Sequence, residues 1–464
     1  MIRIRSLSQA LAVALVIGAS SAHADDLIQV YQEARASDPT LSGAEATKLA
    51  TDEVVDQARS QLLPQIGASV SFSRSHGGDN GITRIPDPRQ PTDPNATIEV
   101  NGYGTTSYTR STSAQLNQSI LDISKWTALK SSRYSAEAGS AIYDAAQQNL
   151  LIRVATAYFN VLSSLDALKF AAANEKALGR QLEQAQQRFD VGLAAITDVN
   201  DAKAQHDQAV ASVIANQNTV DQAREAVRQI TNKEPGDFRK LRENLPLDHP
   251  IPDDPKAWVE VALKQNPNLS ASAFQVDAAD ANINSARAGH LPTITGSLNY
   301  GRSPTFGDRN FEGGASHQST DPRWGSTATV TLNVPIFSGG YTQSVVRQAI
   351  HNRDFAQDQF EVNRRLVEAT TRNDFRSVIA GASEVEATKA AVVSAQSSVE
   401  ATQAGYEVGT RTIVDVLISQ QTLLQAQSSY SAARHTFVLN GLLLKQAAGV
   451  IEVKDLEAIN ALLE

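Results

Sequence analysis

The segment Thr327-Ala328-Thr329-Val330-Thr331-Leu332-Asn333-Val334-Pro335-Ile336 decides the fold class. Ala328, Val330, Leu332, Val334 and Ile336 alternate with Thr327, Thr329, Thr331 and Asn333. Strict period-two alternation over about ten residues has the length of a tilted membrane strand. The polar face is Ser, Thr and Asn rather than charged, which suits a lumen wall. From Ile336 to Glu464 there is then no proline. A second long proline-free run extends from Asn95 to Glu234. Such runs exclude a disordered chain and leave room for very long helices.

Three more alternating segments exist. One sets Ile66, Ala68, Val70 and Phe72 against Gly67, Ser69, Ser71 and Ser73. Another sets Ala114, Leu116 and Ile120 against Gln115, Asn117 and Ser119. The third sets Ile294, Leu298 and Tyr300 against Thr295, Ser297 and Asn299. Pro64 and Pro292 stand where a helix must stop and a strand begin. Long turn-rich loops are expected over His76 to Arg110 and Ser303 to Gly325. The first holds Asp79-Asn80-Gly81 and four prolines, and the second holds Gly313-Gly314. Four strands cannot enclose a lumen, and open sheet edges are excluded from lipid. Three copies give twelve strands, so the strand count predicts a homotrimer.

The chain also repeats itself. Ser37-Asp38-Pro39-Thr40-Leu41 matches Gln265-Asn266-Pro267-Asn268-Leu269. Ala58-Arg59 through Leu63-Pro64-Gln65-Ile66 matches Ala286-Arg287 through Leu291-Pro292-Thr293-Ile294 at the same offset. Phe189-Asp190-Val191-Gly192, with Ile196 and Asp198, matches Tyr406-Glu407-Val408-Gly409, with Ile413 and Asp415. Ordered matches predict an internal duplication. Residues 25–234 form a first repeat of helix, two strands and a long helical hairpin. Residues 235–255 form a proline-rich connecting segment, and 256–464 a second repeat. Residues 1–24 read as a signal peptide: Arg3 and Arg5, an apolar Leu7 to Ile17, and the cleavage site Ala22-His23-Ala24.

Heptads run through the predicted helices. Leu150, Ala157, Ala171, Leu178 and Ala185 share one register, and Val154, Val161, Leu168, Leu182 and Phe189 another. Val378, Val385, Val392, Val399 and Tyr406 align in the second half, as do Val416, Leu423, Tyr430, Phe437 and Leu444. Sustained seven-residue spacing predicts coiled-coil hairpins. A helix from Ile123 to Phe189 would be about 100 Å long, far beyond any bilayer. It must project into water. Gly192 and Gly409 sit where a left-handed helix end is needed, so each marks a hairpin tip.

Charge and chemistry exclude much else. The net charge is −9 and there is no cysteine, which leaves neither a nucleic-acid surface nor a disulfide. Mean hydropathy is −0.27. There is no H-E-x-x-H, no G-x-S-x-G and no phosphate-binding G-x-x-x-x-G-K-[ST]. No enzyme, cofactor or metal site is expected. His206 falls in the Val199/Val213 heptad register and is expected to be a seam residue. A structural periplasmic coiled-coil scaffold without channel activity is the alternative, and it leaves the four lumen-like strands unexplained.

Several motifs carry a resemblance that spans nearly the whole chain after residue 24. They are Ala155-Thr156-Ala157-Tyr158-Phe159-Asn160-Val161-Leu162, Gln187 through Val199, Val408 through Leu417, and Ser119-Ile120-Leu121-Asp122-Ile123-Ser124-Lys125-Trp126. In their order along the chain they resemble the TolC family of outer-membrane efflux proteins. The resemblance implies a trimeric 12-stranded β-barrel in the bacterial outer membrane, continuous with a 12-helix α-barrel projecting into the periplasm. It implies passive export in tripartite efflux or type I secretion, with a periplasmic adaptor and an inner-membrane pump or ABC exporter as partners.

The resemblance also assigns residues. Asp415 would lie on the aperture, and Asp198, Tyr406 and Arg411 at positions that tie neighbouring hairpins shut. Arg411 would bond Asp198, and Tyr406 would donate to it. Family members often carry a second acidic residue one turn beyond Asp415; here the position is Ile418, which would replace an acidic ring by an apolar one. Val191, Gly192, Leu193, Val408, Gly409 and Thr410 match the tips that meet the adaptor. Asp198 and Asp415 also fit as simple helix-terminus charges. Around a threefold axis, like charges should raise the Asp415 pKa.

Overall fold

A computed structural model describes residues 26–78, 81–311 and 314–464. The expected signal peptide and its cleavage site lie outside the described residues, as do Asp79, Asn80 and Gly313 of the expected turns. The elements in chain order are α1 (Leu27–Ser37), α2 (Pro39–Ser60), β1 (Gln65–Gly77), β2 (Ile82–Pro86), β3 (Thr97–Leu121), α3 (Ile123–Asp190) and α4 (Ile196–Thr231). Then follow α5 (Pro255–Gln265), α6 (Pro267–Ala288), β4 (Thr293–Arg302), β5 (Thr305–Phe311), β6 (Gly314–Thr320), β7 (Gly325–Asn333), α7 (Tyr341–Glu407), α8 (Ile413–Ala447) and α9 (Val453–Asn460). They form two compact units. One holds the described residues through Ala46 together with 142–269 and 363–464; the other holds 47–141 and 270–362.

The second unit is built on one antiparallel sheet. Its lower part runs β1-β3-β4-β7, and β2, β5 and β6 extend it through the long strand β3. Register aligns the two faces. Ile66, Leu116, Leu298 and Ala328 form one cross-strand row, and Gly67, Gln115, Asn299 and Thr327 the next. The apolar row is largely bare, with Ile66 at 78 % exposure. The other face is a hydroxyl ladder, in which Ser69 meets Ser113 at 3.1 Å and Ser75 meets Ser107 at 2.7 Å. Among the described residues, the outer edges of β1 and β7 pair with nothing.

The sheet corrects two expectations. It has seven described strands rather than four, because the expected loops contain β2, β5 and β6 and the upper half of β3. Their glycines and short polar residues read as turns, whereas pairing to β3 holds them extended. The last strand also ends early. β7 stops at Asn333, so Val334 and Ile336 lie beyond it. Pro335 has no N–H for a ladder, and Gly339 and Gly340 then turn the chain at φ +61° and +84° into α7. Strands β1 and β4 do start one residue after Pro64 and Pro292.

The other unit explains the matched Asp38-Pro39 and Asn266-Pro267 pairs. Each proline opens a helix at its first position, where its missing N–H is harmless. Asp38 and Asn266 serve both neighbours at once. Their N–H groups close α1 on Ala34 and α5 on Ala262, and their side chains accept from Leu41 (2.9 Å) and Leu269 (3.1 Å). The single first helix expected in each half is therefore two. Arg153 clasps Asp38 through both terminal guanidinium nitrogens, at 3.2 and 2.5 Å.

Most heptad positions form the seams, but Phe189 at the end of its register is 37 % exposed. Val154, Val161, Ala185 and Val416 are fully buried, and Leu150, Leu444, Val220 and Val227 nearly so. Tyr158 and Phe159 sit at the centre of the core. The Tyr158 hydroxyl donates to the Arg239 carbonyl at 3.0 Å, and its ring meets Phe238 edge-on at 5.2 Å. Burying rings of this size contributes about 1.5–3 kcal/mol each. The connecting segment is thereby held on the helices, and Lys240 pairs by backbone with Glu464 in both directions. The motif Ala155–Leu162 is thus a packing requirement.

Candidate functional site at the hairpin tips

Two turns join the long helices to their return helices, and both close in the same way. The Gly192 N–H donates to the Phe189 carbonyl at 2.9 Å and the Leu193 N–H to the Arg188 carbonyl at 2.7 Å. The Gly409 N–H donates to the Tyr406 carbonyl at 3.1 Å and the Thr410 N–H to the Gly405 carbonyl at 2.8 Å. These are Schellman endings, which need a left-handed residue after the helix. Gly192 has φ +76° and Gly409 +81°. The apolar residues at the tips are bare: Val191, Leu193 and Val408 are each about two-thirds exposed or more, and Thr410 is exposed as well.

The return helices begin differently, although their sequences match. In α8, Thr412 is the cap. The Asp415 carboxylate accepts from the Thr412 N–H and hydroxyl, both at 2.9 Å, and the Asp415 N–H donates to that hydroxyl at 3.3 Å. This reciprocal box holds Asp415, half-buried like Asp198, below its ordinary pKa, the Thr412 N–H contributing most and its hydroxyl next. The rise expected from like charges is opposed within the chain by these bonds. In α4 the cap position is Ala195, which has no side-chain acceptor or donor. Asp198 therefore stands half-buried in the first turn, and its carboxylate has no hydrogen bond or ion pair among the described residues.

Tyr406 is brought inside. It is 5 % exposed and packs with Leu178, Ala209, Ile413, Val416 and Leu417. The Arg188 guanidinium lies 4.8 Å from its ring centre and reaches its carbonyl at 3.5 Å. The Tyr406 hydroxyl is buried and has no partner among the described residues. The bond to Asp198 that the resemblance implies is therefore not made within the chain. Arg411 lies at the surface and covers Gly405, where an added Cβ would approach the Arg411 Cγ to 2.7 Å. Ile418 is 61 % exposed, one turn beyond Asp415.

Arg188 is the residue that sequence reasoning missed. Its signal was its position four residues before Gly192, where a cation is favoured at a helix end. Its partner ring is far away in the other half of the chain. His206 is half-buried in the seam, 3.3 Å from Glu175. Among the described residues, no group of three or more His, Asp and Glu side chains is arranged to hold a metal ion.

A family model described as outer membrane efflux protein matches residues 30–233 and 258–450. Outer membrane protein TolC of Escherichia coli is 39 % identical over 446 residues, covering 95 % of this chain and 85 % of that protein. The alkaline protease secretion protein AprF of Pseudomonas aeruginosa is 25 % identical, covering 96 % of this chain and 89 % of that protein. The solved CmeC outer membrane channel of Campylobacter jejuni superposes with a TM-score of 0.73 at 16 % identity, over 94 % of this chain and 90 % of that one.

Proposed function

Because the chain belongs to the outer membrane efflux protein family, we propose that it forms a homotrimeric channel-tunnel through the bacterial outer membrane. The observation that carries this reading is the open sheet. One face is bare apolar side chain, the other is a hydroxyl ladder, and the edges at β1 and β7 are unpaired among the described residues. Such a sheet is stable in lipid only when closed by further copies. Three chains, each giving β1, β3, β4 and β7, make twelve strands with the polar face inward. The long hairpins of three chains then form a twelve-helix periplasmic wall. In this reading 25–234 and 256–464 are duplicated halves joined by 235–255.

The channel gives passive exit for cargo supplied by an inner-membrane pump or ABC exporter through a periplasmic adaptor. Relatives include both an efflux-family TolC and a protease secretion protein, so tripartite efflux and type I secretion both suit the architecture. The adaptor meets the bare tips at Val191-Gly192-Leu193 and Val408-Gly409-Thr410. Asp198, Tyr406, Arg411, Asp415 and Ile418 form the gate. Asp198 has no partner among the described residues and is open to a neighbouring hairpin, whereas the buried Tyr406 hydroxyl would reach one only if assembly uncovers it. Membrane fractionation with unheated SDS electrophoresis tests the reading. A detergent-extracted, heat-sensitive trimer that conducts in a planar bilayer supports it; a soluble monomer overturns it in favour of a periplasmic scaffold.

A further inference from the structure

The apolar face of the sheet ends in arginines. Along β1 the sequence of that face is Ile66, Ala68, Val70, Phe72 and then Arg74; along β3, read upward, it is Leu116, Ala114, Thr112 and Arg110; along β4 it is Ile294, Leu298, Tyr300 and Arg302. Register confirms the shared face. Arg110 lies opposite Phe72, Arg74 opposite Tyr108, and Arg302 opposite Thr112. The rings on this face form a stacked set. Phe72 and Tyr108 are 6.2 Å apart, Tyr108 and Phe306 5.6 Å, and Tyr300 and Trp324 5.3 Å. The Arg74 guanidinium lies over the Tyr108 ring at 5.6 Å.

Depth makes these cations informative. The rise from Ile294 to Arg302 is about 26 Å along a strand and roughly 20 Å along the membrane normal once tilted. The apolar band of an outer-membrane barrel is about 25 Å tall and is edged by aromatic residues. An arginine facing lipid at mid-membrane costs about 2–4 kcal/mol, against ~0–1 at the border. The arginines therefore mark a border. β3 leads directly from the opposite end of the sheet into α3, which is too long for any bilayer. The arginine border thus faces the outer leaflet, and β2, β5, β6 and residues 97–109 of β3 stand beyond it.

Not all three cations are spoken for. Arg302 is held by Asp321 at 2.5 Å. On the same face, Asp308 is taken by His317 at 2.8 Å. Arg74 and Arg110 are exposed, and neither side chain has a carboxylate partner among the described residues. Guanidinium forks beside rings, level with the lipid headgroups, match phosphate in charge and geometry.

We propose that Arg74, Arg110 and Arg302, with the Phe72, Tyr108 and Phe306 rings, form a belt that binds the phosphate groups of outer-leaflet glycolipid. This rests on the reading that the sheet crosses the outer membrane. The test uses the full-length trimer in nanodiscs, with retained lipid counted by native mass spectrometry. The probes are diphosphorylated lipid A, its enzymatically dephosphorylated form, and phosphatidylglycerol. Wild-type protein should retain lipid A over both other lipids. Replacing all three arginines by Gln should lower lipid A retention about tenfold or more, as expected for loss of charge-assisted bonds. The double variant R74Q/R110Q, which spares the Arg302–Asp321 pair, should lose most of that. Replacement by Lys should preserve more than replacement by Gln. Equal retention of dephosphorylated lipid or phosphatidylglycerol, equal loss in the Lys and Gln variants, or unchanged retention in a conducting triple variant overturns the proposal. Failure of wild-type protein to conduct overturns the channel reading itself.

Discussion

Thr412 and Asp415 hold each other in a reciprocal cap: carboxylate to N–H and hydroxyl at 2.9 Å, and N–H to hydroxyl at 3.3 Å. The bonds fix the carboxylate at the start of α8 and favour its charged form. Asp415 therefore supplies fixed negative charge at neutral and mildly acidic pH. Its contribution to stability is present above the ordinary carboxylate range and is lost as pH falls through its lowered folded pKa. Asp415→Asn is expected to lower cation selectivity, read as a reversal potential in a salt gradient. A strong rise of the pKa in the trimer would show instead as selectivity lost near neutral pH.

Arg411 covers Gly405 at the tip and carries its charge into solvent. As a tie between hairpins it should be replaceable without harm to the hairpin itself. Arg411→Ser is expected to raise single-channel conductance in a planar bilayer while leaving the thermal midpoint within a few degrees. Conductance equal to wild type would remove Arg411 from the gate.

The buried Tyr406 hydroxyl has no partner among the described residues. An unsatisfied buried polar group costs about 1–3 kcal/mol. Tyr406→Phe should therefore be neutral or stabilising for the hairpin, and should raise conductance only if assembly uncovers the hydroxyl so that it donates to Asp198 of a neighbouring hairpin. Marked destabilisation together with wild-type conductance would place the hydroxyl in the fold alone. Arg188→Gln, which removes the cation over the same ring, tests the other side of the contact and should also loosen the tip.

Gly192 and Gly409 adopt φ +76° and +81°. A side chain in that region costs about 1–2 kcal/mol. Gly409→Ala should accelerate amide exchange over Val408 to Arg411 and weaken crosslinking of the tip to its adaptor, with little effect on the remainder of α7. Exchange rates matching wild type would mean that the Schellman ending tolerates a Cβ.

His435 is buried against Phe159, and its Nδ1 lies 2.7 Å from the Ser163 hydroxyl. Burial lowers its pKa to about 4, against an upward pull from Asp166, while Arg434 adds to the fall. Asp166 is itself bonded by Ser431 at 2.5 Å. The neutral ring is favoured by folding. Stability is full above the unfolded pKa near 6.5 and declines as pH falls toward 4, by up to ~3 kcal/mol. His435→Gln should flatten the dependence of the thermal midpoint on pH between 6.5 and 4. A slope unchanged from wild type would assign acid sensitivity to other groups.

Much of this molecule is local and therefore legible in one chain of letters. Period two set the apolar and hydroxyl faces at Ile66–Ser73 and Ala328–Asn333, because side chains on a strand must alternate. Period seven marked Val154, Val161 and Val416 as seam residues, because helices that supercoil must repeat. Gly192 and Gly409 announced the tips, since a left-handed helix ending tolerates little else. The tertiary structure decided the rest. β5 pairs with β3 although the two strands lie in opposite halves of the chain, and only that pairing makes a strand of a turn-like sequence. Arg188 finds the Tyr406 ring across the same kind of gap. Ala195 and Thr412 occupy matching places, yet one leaves Asp198 uncapped and the other binds Asp415. Arg110, the last residue of an expected loop, joins Arg74 and Arg302 on the rim of an apolar face. In each case the deciding feature is a contact or a cap in three dimensions, and periodicity reports only on neighbours along the chain.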